Sequence, residues 1–131
     1  MKTETCPCGT GKEYALCCGR YHRGELAPTA LQLMRSRYSA YALGLIDYIL
    51  ETTHPQHPDF KRDQEEWKNE LHAFSAQTIF KSLEIVDFQE GENISFVTFI
   101  AYLNQAGQDV VLRERSLFEK IENRWLYLKA M

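Results

Sequence analysis

The sequence predicts an α+β domain preceded by a small cysteine-rich knuckle. Two patterns carry the larger domain. Apolar residues recur at helical spacing from about residue 29 to residue 75, and alternating segments rich in β-branched and aromatic residues follow, separated by turn signals. Helices first and an antiparallel meander after them imply three helices on one face of a curved sheet. The knuckle rests on a third observation: all four cysteines lie between residues 6 and 18. The expected division is 1–26 for the knuckle and 27–131 for the domain.

In chain order, Cys6-Pro7-Cys8 comes first, and Cys17-Cys18 follows after eight residues. A disulfide within either close pair would be strained, and cross-pairing needs an oxidising compartment. Met1–Thr5 lacks the apolar stretch of a leader, and no run approaches the roughly 20 apolar residues of a membrane span. A cytoplasmic, thiol-preserving location is therefore expected. Zn²⁺ takes four thiolates tetrahedrally at about 2.3 Å, which two close pairs on facing turns suit. The reading is one structural zinc on Cys6, Cys8, Cys17 and Cys18, with no open position for water. His22 is near enough in sequence to replace one cysteine, and is read instead as a loop histidine. Gly9 and Gly11 permit a tight backbone that aims amides at sulfur. Thr10 with Glu13 has the form of a capping box. It predicts a short helix from Gly11, with Tyr14 and Leu16 beneath it and Gly19 as its C′ residue.

Thr29 with Gln32 opens the next helix, in which Leu33, Met34, Arg37, Tyr38 and Tyr41 follow at helical spacing until Gly44 interrupts. A second short helix carries Ile46, Ile49 and Leu50. His54-Pro55-Gln56-His57-Pro58 is a stiff non-helical loop. Asp59 is the expected cap of a third helix whose inner face holds Phe60, Trp67, Leu71 and Phe74. Strands are expected at 79–88, 94–103, 109–121 and 125–128, with turns at 90–93, 106–108 and 122–124.

Strand parity locates a pocket. Within 109–121, Val110, Leu112, Glu114, Ser116 and Phe118 share one face. A carboxylate among core residues needs a partner or water. Glu114 is thus either turned outward, tied to Arg37 in an ion pair, or set at the floor of a cavity. Other candidates for the lining are Arg37, Tyr38, Tyr41, Tyr48, His54, Trp67, Tyr102, Ser116 and Trp125.

Composition excludes some functions. The net charge is −3 over 131 residues, against a general nucleic-acid binder. The first two dozen residues are slightly basic and the rest acidic, a weak sign of an acidic partner surface. There is no Gly-x-Ser-x-Gly elbow and no phosphate loop.

Cys6-Pro7-Cys8-Gly9-Thr10-Gly11 and Cys17-Cys18-Gly19 resemble the SEC-C motif, the zinc module at the C-terminus of the preprotein translocase ATPase. Thr10 stands where that motif usually has Ser. The resemblance implies a docking surface rather than a catalytic centre. The element order resembles the nuclear transport factor 2-like cone, in which three helices close over a bent sheet and leave a pocket. Thr29 to Tyr41, Asp47-Tyr48, Thr53-His54-Pro55, Arg113-Glu114-Arg115-Ser116 and Arg124-Trp125 resemble the YchJ-like bacterial family. Many of its members carry a second SEC-C motif after the last strand; this sequence has no cysteine after Cys18.

Together these readings imply an accessory or adaptor protein. Its zinc head would dock a protein partner, and its larger domain would bind a small-molecule ligand or form a homodimer. The alternative is a small enzyme of hydrolase, isomerase or dehydratase type, with Glu114 and either His54 or a tyrosine as its acid–base pair.

Overall fold

The computed structural model describes residues 4–61 and 63–131. A 3₁₀ turn at Tyr14–Leu16 leads into helix α1, Cys18–His22. Three further helices follow: α2 at Ala30–Leu43, α3 at Ile46–Glu51 and α4 at Gln64–Gln77. The strands are β1 Thr78–Gln89, β2 Ile94–Gln105, β3 Gln108–Ile121 and β4 Arg124–Ala130. They pair in sequence order, all antiparallel, as one four-stranded meander. The α+β class, the strand order and the helix order match the expectation.

Local chemistry sets the element ends. Thr29 caps α2 by accepting from Gln32 N at 3.3 Å. Gly44 ends it in the left-handed region at φ 73°, which a side chain would resist. Asp63, not Asp59, caps α4 by accepting from Glu66 N at 3.1 Å. Asp59 lies one turn earlier, in a 3₁₀ segment at Pro58–Lys61 that begins at the second of the two prolines. The β2–β3 and β3–β4 turns place both central residues at positive φ, Ala106 with Gly107 and Glu122 with Asn123. This turn matches the right-handed twist of the strands it joins.

Register shifts in β1 at Phe80/Ser82 and Ile85/Asp87, and between β3 and β4 at Leu117/Phe118, mark bulges that bend the sheet. The inner face of β2 presents Val97, Phe99, Ala101 and Leu103 to Ala30, Leu33, Met34 and Tyr38 of α2. Phe118 and Trp125 complete this core. Each fully buried aliphatic or aromatic side chain contributes about 1.5–3 kcal/mol. Trp67 is the buried residue of α4, covered edge-on by Phe60, which is itself 43% exposed. No helix among the described residues is long and apolar enough to cross a membrane.

Candidate functional site

Four sulfurs converge at the N-terminal end. The Sγ atoms of Cys6, Cys8, Cys17 and Cys18 all lie within 4.8 Å of one another. Cys8 Sγ is 3.6 Å from Cys17 Sγ. A tetrahedron with metal–sulfur bonds of about 2.3 Å has edges of about 3.8 Å, so the donor set fits a tetrahedral ion. No disulfide joins the four. The loop that carries the first pair is closed by Cys6 N donating to Lys12 O and Tyr14 N donating to Glu4 O, both at 2.8 Å. Packed this closely, the thiols oppose one another. Cys8 is drawn down to about 4 by its contact with Cys18, Cys18 is pushed up by that same contact and then by burial, and Cys17 is pushed up by burial first. A cation at the centre would let four such groups ionise together.

The surroundings differ in detail from the expectation. Thr10 does not open a helix at Gly11. Its hydroxyl lies 3.2 Å from Cys17 Sγ and 3.6 Å from Cys8 Sγ, while Glu13 forms a β-bridge with Thr5. The turn therefore starts only at Tyr14, and Leu16 is 65% exposed instead of packed beneath it. Gly19 is inside α1 and not after it. A Cβ there would come within 2.7 Å of Tyr14 O, so the close approach is what requires glycine. His22 turns away from the sulfurs. Its Nδ1 is 2.5 Å from the Tyr14 hydroxyl and its Nε2 is 2.8 Å from Ser36 O. The imidazole is held below its ordinary pKa by burial. This network assigns the neutral tautomer with hydrogen on Nε2.

Helix α2 serves two sites at once. Arg35 Nη1 donates to Cys8 O at 2.9 Å, and Ser39 Oγ lies 3.5 Å from Cys6 Sγ. These residues are four apart and share the helix face that meets the head. Met34, Arg37, Tyr38 and Tyr41 meet a cavity of about 190 Å³ between α2, α4 and the sheet.

The cavity is mostly aromatic, with one polar end. Phe74 from α4, Phe80 from β1, Phe99 from β2 and Phe118 from β3 line it. At the polar end, Glu114 Oε2 accepts from Ser116 Oγ at 2.5 Å and from the Tyr127 hydroxyl at 3.0 Å. The strand phase of Val110, Leu112, Glu114, Ser116 and Phe118 is as the alternation predicts, with Glu114 opposite Phe99. Arg37 is buried and makes no ion pair with Glu114. Its Nη1 donates to Ile49 O at 3.1 Å, Thr52 Oγ1 at 2.7 Å and Thr53 Oγ1 at 3.2 Å. Its guanidinium lies 4.7 Å from the centre of the Tyr127 ring. Tyr127 thus separates the cation from the carboxylate. Burial raises its pKa, and the Glu114 charge adds to that. Burial also pushes the Tyr38 phenol up to about 12 and raises Tyr41.

Of the residues expected around a pocket, Arg37, Tyr38, Tyr41, Glu114 and Ser116 line this one. Five others do not. His54 Nε2 is 2.7 Å from Glu119 Oε1 and its Nδ1 accepts from Gln56 N, which ties the loop to the end of β3. Trp67 is packed under Phe60. Tyr102 is on the opposite face of the sheet, donating to Glu84 Oε1 at 3.0 Å. Trp125 is on the right face but one step along the strand, in the core cluster that includes Leu33. Tyr48 bonds Ser36 and faces His22. Tyr127 is the polar lining residue absent from those candidates. It is two residues beyond Trp125, so the alternation of β4 marks it.

Residues 29–130 match the family model described as YchJ, middle NTF2-like domain. The chain belongs to the YchJ-like family. Its fold is the nuclear transport factor 2-like one, and residues 3–20 match the SEC-C motif. A UPF0225 protein of Bordetella pertussis is 41% identical over 127 residues, covering 94% of this chain and 89% of that one. The solution structure of RPA3114, a SEC-C motif containing protein from Rhodopseudomonas palustris, superposes with a TM-score of 0.85 at 34% identity, over 98% of both chains. A SEC-C motif containing protein from Psychrobacter arcticus gives a TM-score of 0.83 at 29% identity, over 96% of this chain and 81% of that one.

Proposed function

We propose that this YchJ-like chain is a zinc-bearing accessory protein of the cytoplasm. One structural zinc is held by Cys6, Cys8, Cys17 and Cys18 in a head of residues 1–26. The head docks a protein partner, and the domain of residues 27–131 takes a small-molecule ligand in its aromatic cavity. The observation that carries this reading is the sulfur cluster: four thiolate donors at tetrahedral spacing complete the coordination and leave no site for an activated water. A reducing compartment keeps those thiols available.

How Glu114 is used supports binding over catalysis. The carboxylate accepts two hydroxyl bonds on one oxygen, and His54 is committed to Glu119. An acid–base mechanism needs a second titratable group poised near the working pH, and the lining tyrosines Tyr38, Tyr41 and Tyr127 are all held above their ordinary pKa by burial. The first test is elemental analysis of protein purified without chelator. One zinc per chain is expected; a folded head carrying no zinc overturns the metal reading. Native mass spectrometry of the same preparation tests the cavity, with a retained mass of one-ring size as the expected result.

A further inference from the structure

The cavity's own chemistry narrows what it takes, and the argument rests on the reading of the cavity as a ligand site. Its volume is about 190 Å³. A dry cavity of about 150 Å³ holds benzene, so this one holds a single ring with a small substituent. The walls suit such a ring. Tyr41 meets Phe74 edge-on at 5.7 Å and lies parallel to Phe80 at 6.4 Å, and Tyr38 meets Phe80 edge-on at 5.6 Å. These are the separations at which aromatic pairs gain beyond area burial.

The polar end sets the substituent. Ser116 and Tyr127 both direct their hydrogens at Glu114 Oε2, so neither offers one to a guest. Arg37 Nη1 already serves three acceptors. Acceptor capacity remains on the Glu114 carboxylate, and the lining Tyr38 hydroxyl is buried without a partner, so a guest group that both donates and accepts, as a hydroxyl does, suits this space. The guest's charge follows from the two ionic groups lining the same space. An ammonium would be buried beside the Arg37 guanidinium, and a carboxylate beside Glu114. A neutral O–H escapes both penalties and satisfies the carboxylate. We propose that the cavity binds a small neutral phenol or aryl alcohol, its ring among Phe74, Phe80 and Tyr41 and its hydroxyl donated to Glu114.

The test is titration of the zinc-loaded full chain with four probes of matched size, followed by calorimetry and amide chemical shifts. The probes are p-cresol, toluene, benzylamine and benzoate. p-Cresol is expected to bind about tenfold or more tighter than each of the others, the margin of one hydrogen bond to a charged acceptor. Glu114→Gln is expected to remove most of that margin and leave toluene unchanged. Toluene binding equal to p-cresol, tighter binding of either charged probe, or an unaltered margin in Glu114→Gln overturns the proposal but leaves the cavity as a ligand site. Failure of all four probes overturns both. The probe comparison on the unaltered chain decides the matter even where the variant does not fold.

Discussion

The body of this molecule is closed by apolar packing, whereas the head is closed by sulfur and by what it leans on. Between Ala30 and Ala130 the core is a continuous set of Leu33, Met34, Tyr38, Val97, Phe99, Leu103, Phe118 and Trp125. In the head, the buried apolar cluster consists of Cys6, Cys8 and Cys18, with Tyr14 and Cys17 against it, and among the described residues no aliphatic side chain joins it. So small a segment cannot bury enough surface to fold by itself. Its seam with the body is polar: Arg35 to Cys8 O, Ser39 to Cys6 Sγ, His22 to Ser36 O. The contrast teaches that a domain with a full core can lend order to a neighbour that has none, through a few directed bonds.

The largest expected effect is on the head. Cys17→Ser should lose the proposed zinc and unfold residues 6–19, because the binding energy of a structural zinc is folding energy. The body should remain folded but lose the seam's hydrogen bonds, about 1 kcal/mol each. That is a fall in its melting temperature on the order of 10 °C. Amide spectra and a thermal melt check both halves. A body that melts as in the unaltered chain would make the head a free appendage and break the comparison.

The body has its own polar weak point. Arg37→Met should cost about 2–4 kcal/mol, because Ile49 O, Thr52 and Thr53 are left facing an apolar side chain. Denaturant midpoints measure it, and the zinc content should not change.

A smaller effect sits at the seam. His22→Ala should keep the metal and weaken docking by about 1 kcal/mol. Burial holds His22 below its ordinary pKa, so the unfolded chain binds the proton more readily. Its contribution is therefore full above about pH 6.5 and falls as the pH drops below that value. The unaltered chain should lose more stability than His22→Ala between about pH 7.5 and pH 5.5. Equal slopes in the two proteins would remove His22 from the seam.

The smallest effect carries the opposite sign. The Tyr38 hydroxyl is buried without a hydrogen-bond partner. Tyr38→Phe should be neutral or stabilise the body by up to about 1 kcal/mol, read from the same denaturant midpoints. Destabilisation would reveal a polar contact for this oxygen.

Much of this was legible from residue order alone, and what was not has a physical cause. The cysteine spacing, the Thr29 cap, the Gly44 stop and the phase of Glu114 are short-range signals, and each corresponds to an observed local geometry. Asp59 misled because a 3₁₀ turn intervenes before Asp63, and both residues have the chemistry of a cap. Thr10 and Glu13 have capping-box spacing, yet the sulfurs claim the Thr10 hydroxyl. Tyr102 and Trp125 misled because lining a cavity depends on which face and which level of a bent sheet a residue occupies. The bulges and tertiary packing that decide the level leave little mark in sequence. The separation of Arg37 from Glu114 by the Tyr127 ring is a contact among three elements, invisible to periodicity.

Four consecutive residues of α2 have four different neighbours. Arg35 reaches the head, Ser36 meets His22 and Tyr48, Arg37 reaches Thr52 and Thr53, and Tyr38 borders the cavity. One consequence concerns transplantation. A cut after residue 26, placed by composition, would separate the knuckle from the helix on which it is seated. An engineer moving this cysteine module to another protein must bring the turn of helix from Arg35 to Ser39 with it, or rebuild an arginine and a serine four residues apart on the recipient.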